Sequence, residues 1–524
     1  MNEETIFRLA KPKKKGLLSL VFSRFLIIGI LLLLQAMAYF VLFTLIWRSQ
    51  YARVFSLFII VFTILAIVYV FSSRMDASAK LTWMLIMSVL PFVGAFLLLY
   101  SKLNFGHIAL KKRVEAMIEM TRTAIPQSAE LLERLDEQGS DTVDLVTYLS
   151  RSGCFPVYEN TEVKYFPLGE QKFEAMLEEL EKAESFIFME YFIIEEGYMW
   201  GKILEILIRK ASEGVDVRVM YDGMCEMSTL PANYWKLLEK QGIRSKAFAA
   251  IKPVLSSHYN YRDHRKILVI DGKTAFNGGV NLADEYINRI ERFGHWKDTA
   301  VMLKGEAVRS FTLLFLQMWN TTEKQPEFLP WIQENREASR PAAGSVMPYG
   351  DSPLDEDKVG EMIYMDILNR SRDYVHIMTP YLILDGELET ALRFAAQRGV
   401  DVKLILPGIP DKKMPYALAK SHYPSLTEAG VKIYEYTPGF VHAKVCVSDG
   451  IKAVVGTINL DYRSLYHHFE CATYMDRVPC IAEIEADFQE TLSACRAVTE
   501  QTIKNEKLSY KITGFLLKLI APLL

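Results

Sequence analysis

The sequence has few cysteines and no excess of charge of either sign. Its six cysteines are scattered among 524 residues without a Cys-x-x-Cys pair, which argues against a zinc site and against a dense disulfide framework. With 60 basic and 63 acidic side chains the formal net charge is −3, so the chain as a whole is not attracted to nucleic acid. A composition that is 50% hydrophobic excludes a disordered chain, and the length allows roughly two to four domains.

Three apolar runs lie within the first 100 residues, at 25–46, 54–71 and 81–100. A helix of about 20 apolar residues spans the hydrocarbon core of a bilayer. We therefore predict that residues 1–104 form a membrane anchor of about three transmembrane helices, in a multi-pass integral protein of a bacterial cell membrane. Basic residues flank the anchor on both sides, so the side of the membrane that the rest of the chain faces stays open.

From about residue 105 the pattern changes to a mixed α/β one. We predict a membrane-proximal helical linker at 105–160, a first lobe at 161–340 and a second lobe at 341–503. The last segment, 504–524, is apolar with interspersed lysines, which predicts an amphipathic helix lying on the bilayer. A helix packed on the soluble part is the alternative for this tail.

An internal repeat underlies the two lobes. The sequence Gly-Val-Asp-Val-Arg-Val at 214–219 recurs as Gly-Val-Asp-Val-Lys-Leu at 399–404, and each copy follows a strand candidate and a helix candidate. The order strand, helix, strand is typical of a parallel sheet covered by helices. We therefore predict an α/β fold of two duplicated lobes, each with a mixed sheet flanked by helices.

Each repeat also carries the motif His-x-Lys-x4-Asp, followed by Gly-[Gly/Thr]-x-Asn. The paired motif residues are His264, Lys266, Asp271, Gly279 and Asn281 in the first copy, and His442, Lys444, Asp449, Thr457 and Asn459 in the second. Because residues i and i+2 of a strand share a face, the histidine and lysine of each copy should project together. The aspartates precede glycines, where turns are expected.

These residue types suit chemistry on a phosphodiester. Lysines neutralise the non-bridging oxygens, asparagine amides donate hydrogen bonds, one imidazole attacks phosphorus and the other protonates the leaving alkoxide. The reaction requires no metal and no cofactor. Asp298 and Glu470 follow their motif histidines by 34 and 28 residues, and they are candidates for orienting the imidazoles, with ordinary surface acids as the alternative. The other seven histidines, including His468, are expected to be structural.

The two motifs resemble those of the phospholipase D superfamily, and the surrounding residues resemble bacterial cardiolipin synthases. The matching segments are 260–266, 278–281, 285–286, 296–298, 379–381 and 459–464. The resemblance implies two phospholipase D-like lobes with the active site at their interface. It also implies transfer of a phosphatidyl group from one phosphatidylglycerol to another, which gives cardiolipin and glycerol through a phosphohistidine.

By the same resemblance, His264 is the nucleophile and His442 the acid and base, although exchanged roles stay open. Lys266, Lys444, Asn281 and Asn459, with Gly279 and Thr457 beside them, would bind the phosphate, and Asp298 and Glu470 would orient the histidines. The motif places Asp271 and Asp449 in the catalytic set, but we regard them as more structural than chemical. Gly279 and Thr457 stand where serine is common in the superfamily.

Alternative functions share these motifs. Another phospholipase D-type phosphatidyltransferase or a phospholipid hydrolase would carry the same residues, because the acceptor is selected by the shape of the pocket. A nucleic-acid phosphodiesterase fits less well, since the chain has no basic excess. A non-enzymatic scaffold would not need both motifs intact. We expect phosphatidylglycerol and a lipid bilayer as partners and no nucleic acid; the sequence leaves the oligomeric state open.

Overall fold

The structure is a computed structural model that describes residues 7–10, 37, 40, 52–102, 105–249, 261–333, 342–355 and 357–523. These residues belong to two compact units. The larger unit includes residues 110–249 and 261–515 in their described parts, and so contains both repeats. The smaller unit includes the helices before residue 110 and the end of the chain from residue 516.

The smaller unit is helical, with helices α1 (Ala52–Phe71), α2 (Ala77–Val89) and α3 (Pro91–Lys102). The third apolar run was predicted as one helix, but it forms two. Leu90 ends α2 in a non-helical conformation, and Pro91, which has no N–H to bond, begins α3. The run at 25–46 lies outside the described residues, apart from Met37 and Phe40. Across the described ranges, no helix has the combination of length and apolar character that crossing a membrane requires.

The segment predicted as a linker is helical. It forms α4 (Phe105–Thr121), α5 (Ala129–Glu137) and α6 (Thr142–Ser152). Within the larger unit, the hydroxyl of Thr121 accepts a hydrogen bond of 2.7 Å from Gln317 in the first repeat. The hydroxyl of Thr142 donates one of 2.8 Å to Asp476 in the second. These buried bonds fix the segment to both repeats.

The first repeat forms a seven-stranded mixed sheet in the order β1-β9-β7-β6-β2-β3-β4, and a short strand β5 lies outside it. Strands β2, β3 and β4 are parallel, as the strand–helix–strand pattern predicts, and β6, β7, β9 and β1 continue the sheet in antiparallel fashion. The strands are β1 (Thr161–Phe166), β2 (Phe186–Tyr191), β3 (Asp216–Asp222), β4 (Arg244–Phe248), β5 (Arg262–Asp263), β6 (Lys266–Ile270), β7 (Thr274–Gly278), β8 (His295–Lys297) and β9 (Ala300–Gly305). The helices are α7 (Gly169–Glu181), α8 (Tyr198–Ser212), α9 (Met224–Ser228), α10 (Tyr234–Glu239), α11 (Val308–Trp319) and α12 (Leu329–Ile332).

The second repeat has a sheet in the corresponding order, β10-β19-β17-β16-β11-β13-β14-β20. Its strands are β10 (Ser345–Asp351), β11 (Tyr374–Met378), β12 (Leu382–Ile383), β13 (Asp401–Pro407), β14 (Lys432–Tyr436), β15 (Gly439–Val441), β16 (Val445–Ser448), β17 (Lys452–Gly456), β18 (Leu460–Asp461), β19 (His468–Asp476) and β20 (Cys495–Ala497). Its helices are α13 (Val359–Arg370), α14 (Gly386–Gln397), α15 (Lys413–Glu428), α16 (Tyr462–Tyr466) and α17 (Ile481–Ser493). The prediction of two duplicated α/β lobes with mixed sheets is confirmed.

Two short pairs of strands join the lobes. Strand β5 of the first lobe runs parallel to β19 of the second, and β8 of the first runs parallel to β15 of the second. In each pair, one strand lies just before a motif histidine, and the segment paired with it lies just before a candidate orienting carboxylate. The junction between the lobes is therefore built from the segments that carry the motifs.

The chain ends in α18 (Glu500–Lys504) and α19 (Leu508–Lys518). Up to Phe515, α19 belongs to the larger unit, and there a Cβ on Gly514 would come within 2.4 Å of the Ala417 carbonyl oxygen. One face of this helix therefore packs tightly on α15. This agrees with the alternative prediction, in which the tail helix packs on the soluble part. Leu508, Ile512 and Phe515 remain exposed, and the interfacial role of the tail stays a prediction.

Candidate active site

The backbone of the opposite lobe holds each motif histidine. The His264 amide donates a hydrogen bond of 2.9 Å to the Phe469 carbonyl, and the His442 amide donates one of 2.7 Å to the Lys297 carbonyl. These bonds continue the two strand pairs that join the lobes. Both imidazoles are buried, with 6% and 7% of the residue surface exposed. The seam between the lobes thus fixes the position of both rings.

The carboxylates that orient the two imidazoles are exchanged between the lobes. Nδ1 of His264 lies 2.9 and 3.0 Å from the two oxygens of Glu470, and Nδ1 of His442 lies 2.6 Å from Oδ2 of Asp298. In the sequence each carboxylate follows the motif histidine of its own repeat, but in the structure it contacts the histidine of the other repeat. Because a carboxylate only accepts hydrogen bonds, each Nδ1 carries the proton, and each Nε2 is left with its lone pair.

The motif lysines lie beside their histidines. Lys266 Nζ donates to the His264 carbonyl oxygen and Lys444 Nζ to that of His442, and the Lys444 ammonium also lies 2.9 Å from His442 Nδ1. Burial lowers the pKa of Lys266 to about 8 and that of Lys444 to about 7, because desolvation disfavours the charged form. An anionic ligand would reverse this effect by supplying a counter-charge.

The four side chains act on one another electrostatically. Burial lowers the pKa of His264 well below its usual range, and the positive charges of both motif lysines and of His442 lower it further. Burial and the Lys444 charge lower the pKa of His442 to about 4, against the opposing effect of Asp298. The site thus combines buried imidazoles with two buried lysines, and lysine side chains are suited to bind a phosphodiester.

The two asparagines differ in their surroundings. Asn281 is held by a bond of 3.1 Å from the Ile193 amide to its Oδ1 and by donation over 2.9 Å to the Tyr286 hydroxyl. Asn459 donates over 3.3 Å to Asp461, and its Oδ1 has no hydrogen-bond partner among the described residues. Their assignment as phosphate ligands stays a prediction.

Gly279 lies against the Asp298 carboxylate, and Thr457 lies against the Glu470 carboxylate. A Cβ at position 279 would come within 2.0 Å of Asp298 Oδ1, so only glycine leaves room for this carboxylate. At the equivalent position in the second repeat, the Thr457 hydroxyl donates to Glu470 Oε2. Both residues therefore contact a carboxylate that lies beside a motif histidine, and their predicted contact with phosphate stays a prediction.

Asp271 and Asp449 are structural. The Asp271 carboxylate accepts hydrogen bonds of 2.7 to 2.8 Å from three successive backbone amides, at residues 184–186. The Asp449 carboxylate does the same at residues 372–374. Each aspartate has a left-handed φ of 54° at the turn that ends the motif strand, and it anchors the start of the neighbouring strand. These contacts agree with the expectation that the two aspartates are more structural than chemical.

Sequence reasoning missed His468, which lies beside His264 with 5.3 Å between the ring centroids. His468 stands two residues before Glu470, as Trp296 stands two residues before Asp298, and the Trp296 ring is 5.5 Å from that of His442. Aligning the two carboxylate segments would have drawn attention to this position. Each reactive imidazole thus has a ring neighbour, of different chemistry in the two lobes.

Comparison with known proteins places the chain in one family. The family described as "Cardiolipin synthase, PLD-like domain" matches residues 176–319 and 364–492. The chain is 33% identical to a cardiolipin synthase of a Geobacillus species over 85% of its own length and 88% of that protein. It is 31% identical to cardiolipin synthase 2 of Bacillus anthracis, over 87% and 88% of the respective lengths.

Two further similarities extend this result. An uncharacterized protein of Streptococcus mutans is 60% identical over 88% of the chain and 99% of that protein. Among solved structures, the phosphatidylserine synthase of Haemophilus influenzae superposes with a TM-score of 0.54 at 15% identity, covering 69% of the chain and 95% of that structure. At this identity the superposition establishes the fold alone.

Proposed function

The chain belongs to the cardiolipin synthase family of phospholipase D-like phosphatidyltransferases, and we propose that it transfers a phosphatidyl group from one phosphatidylglycerol to another. The products are cardiolipin and free glycerol. The observation that carries the proposal is the pair of imidazoles at the seam, each held by a carboxylate of the opposite lobe and each beside a buried lysine. This arrangement suits a double displacement at one phosphorus atom.

In the first step, the unprotonated Nε2 of His264 attacks phosphorus, and glycerol leaves with a proton from the imidazolium of His442. Because burial and Lys444 disfavour this imidazolium, the negative phosphate and Asp298 must supply the charge that stabilises it. Lys266 and Lys444 stabilise the negative charge on the non-bridging oxygens. Glu470 stabilises the positive charge that forms on His264.

In the second step, the roles of acid and base reverse. Neutral His442 removes the proton from a glycerol hydroxyl of the second phosphatidylglycerol, and that oxygen attacks the phosphohistidine. The P–N bond breaks, and Nε2 of His264 regains its lone pair. The two steps leave the protein unchanged and convert two phosphatidylglycerols into one cardiolipin and one glycerol.

We also propose that the protein works at the cell membrane, where both substrates are found. Support comes from the apolar surface of α1, where Phe58, Ile64 and Leu65 each expose more than half of their surface. Apolar surfaces of this kind mark contact with lipid or protein. Oriented lipid vesicles treated with protease from outside would show which side the lobes face.

The test of function is reconstitution of the full chain with phosphatidylglycerol as the sole lipid. Cardiolipin and glycerol are expected in a 1:1 ratio, and His264→Ala or His442→Ala should reduce the rate by about 10³-fold or more. His422→Gln is the control and should keep the wild-type rate, because this histidine of α15 pairs with Glu389 of α14. Phosphatidic acid as the main product would instead favour a hydrolase.

A further inference from the structure

His468 is buried beside His264, and among the described residues its ring nitrogens have no hydrogen-bond partner. Only 8% of its surface is exposed. The nearest carboxylate oxygen, Glu470 Oε1, lies 3.7 Å from its Nδ1. Leaving a buried polar group unpaired is unfavourable, so the position calls for an explanation.

His468, His264 and Glu470 together form a ligand set. Each offers one ligand atom, and these atoms all lie within 4.8 Å of one another. In a tetrahedral zinc site, bonds of about 2.0 to 2.2 Å separate neighbouring ligand atoms by roughly 3.3 to 3.5 Å. The His264–Glu470 separation of 2.9 Å and the His468–Glu470 separation of 3.7 Å bracket that value. These two separations need to change by only a few tenths of an ångström to fit an ion, and the ligand atoms of His264 and His468 lie within 4.8 Å of each other.

We propose that His264, His468 and Glu470 bind a zinc-like divalent cation and that the bound ion reversibly inhibits the enzyme. Two imidazoles and one carboxylate are ligands that Zn²⁺ accepts, with the fourth position left to water or to a phosphate oxygen. The mechanism proposed above uses no such ion. The site is regulatory because its ligands include the nucleophile.

The electrostatic balance favours binding, but at moderate affinity. Glu470 supplies negative charge beside both imidazoles, at 2.9 Å from Nδ1 of His264 and 3.7 Å from Nδ1 of His468. Lys266, Lys444 and Arg463 oppose the cation, since each adds positive charge near His264. We therefore expect weaker binding than at a structural zinc site with several thiolates.

The ion inhibits the enzyme because it binds Nδ1 of His264. In the active state Nδ1 of His264 carries the proton, which it donates to Glu470, and Nε2 is free to attack. An ion on Nδ1 displaces this proton to Nε2, and the lone pair needed for attack on phosphorus is lost. No proton leaves the ring overall, and removing the ion restores the original tautomer.

The other half of the site provides an internal control. His442 and Asp298 have Trp296 where His264 and Glu470 have His468, and indole does not bind metal ions in this way. In the part of the chain that the structure describes, His442 and Asp298 therefore lack a third candidate ligand. The sites around the two histidines should differ in metal binding although they share one backbone frame.

The first experiment measures binding without substrate, by equilibrium dialysis of the full chain in detergent against Zn²⁺. We expect one ion per chain for the wild type, less than a tenth of that for His468→Phe, and one ion for Trp296→Phe. Co²⁺ bound to the wild type should show the visible absorption of a tetrahedral site. Wild-type protein that binds no ion, or a His468→Phe variant that binds as tightly as the wild type, would overturn the proposal.

The second experiment measures cardiolipin synthesis with increasing Zn²⁺, each rate divided by the metal-free rate of the same variant. The wild type and Trp296→Phe should be inhibited at least tenfold and recover with a chelator, whereas His468→Phe should be inhibited less than twofold. Equal inhibition of all three would contradict the assignment. Because the binding experiment involves no turnover, its result stands apart from the proposed function.

Discussion

The two halves of the molecule hold their motif histidines in the same backbone frame but surround them with different chemistry. In the first half, Arg262, Asp263 and Arg265 flank His264, all buried, and they pair with Asp222 and Glu190. In the second half, the equivalent residues are apolar and equally buried: Phe440, Val441 and Ala443 in place of the first three, and Pro407 and Met378 in place of the two acids. The charges are therefore not needed to build the frame, which the strand pairs across the seam already provide.

A second difference concerns the support of the orienting carboxylates. Asp298 is short and needs the open space at Gly279, whereas Glu470 is longer and is fixed by the Thr457 hydroxyl. Each carboxylate also serves the histidine of the other half. Changes at these positions should therefore affect the two chemical steps separately, and they provide ways to test the comparison.

The largest effect is expected from the carboxylates. Asp298→Asn and Glu470→Gln should each lower the rate of cardiolipin formation by about a thousandfold, because the imidazole loses its orienting acceptor. With phosphatidyl-p-nitrophenol, whose leaving group needs no acid, release of p-nitrophenol should recover in Asp298→Asn but not in Glu470→Gln. Recovery in the opposite variant would exchange the roles of His264 and His442. Glu485→Gln, at a similar pair with His376 outside the site, is the control.

The buried ion pair should affect stability more than chemistry. Arg265→Ala leaves Glu190 buried without its cation, and breaking such a pair costs about 3 to 5 kcal/mol of unfolding free energy. Adding Glu190→Met reproduces the pair found in the second half, Ala443 and Met378, and should recover more than half of the loss. Chemical unfolding of the three proteins measures this directly. A double variant as unstable as the single one would show that the halves are not interchangeable here.

Alanine should lower the activity by different amounts at positions 279 and 457. In Gly279→Ala the added Cβ must displace Asp298, so kcat/KM should fall by about a hundredfold through the loss of an oriented imidazole. Thr457→Ala removes one hydrogen bond to Glu470, and a loss of about tenfold is expected. Equal losses would mean that the glycine is not required by the carboxylate.

The smallest effect is a shift in the pH profile. The phosphodiester is bound by charged lysines, so kcat/KM should fall as the pH rises through the pKa values of about 7 for Lys444 and about 8 for Lys266. Because arginine stays charged, Lys444→Arg should move the alkaline limb up toward the value for Lys266, a gain of about tenfold at pH 8 relative to its own maximum. Lys266→Arg should leave the limb in place. An unchanged limb in both variants would assign it to another group.

Local patterns in the sequence were sufficient to predict the repeat, the motif strands and the turn aspartates, because each depends on residues close together in the chain. The exchange of carboxylates was not predictable in this way. It depends on contacts such as that of His264 with Glu470, 206 residues apart, which arise only when the short strands β5 and β19 pair.

The proximity of His468 to His264 was not predicted for the same reason, since the two residues are distant in the chain. The apolar run at 81–100 predicts one helix, but it contains Pro91. Instead, Leu90 leaves the helical conformation just before it. Local sequence therefore predicted the elements, whereas tertiary pairing determined which of them complete the site.

The crossed contacts between histidine and carboxylate have a consequence for how such a chain can be divided. Expressed alone, each lobe would have a motif histidine but not the carboxylate that orients it. Mixing the separately produced lobes should restore turnover only when they reassociate. By the same geometry, two copies of one lobe related by a twofold axis would form a complete site. The long chain therefore corresponds to a dimer whose two subunits are covalently joined.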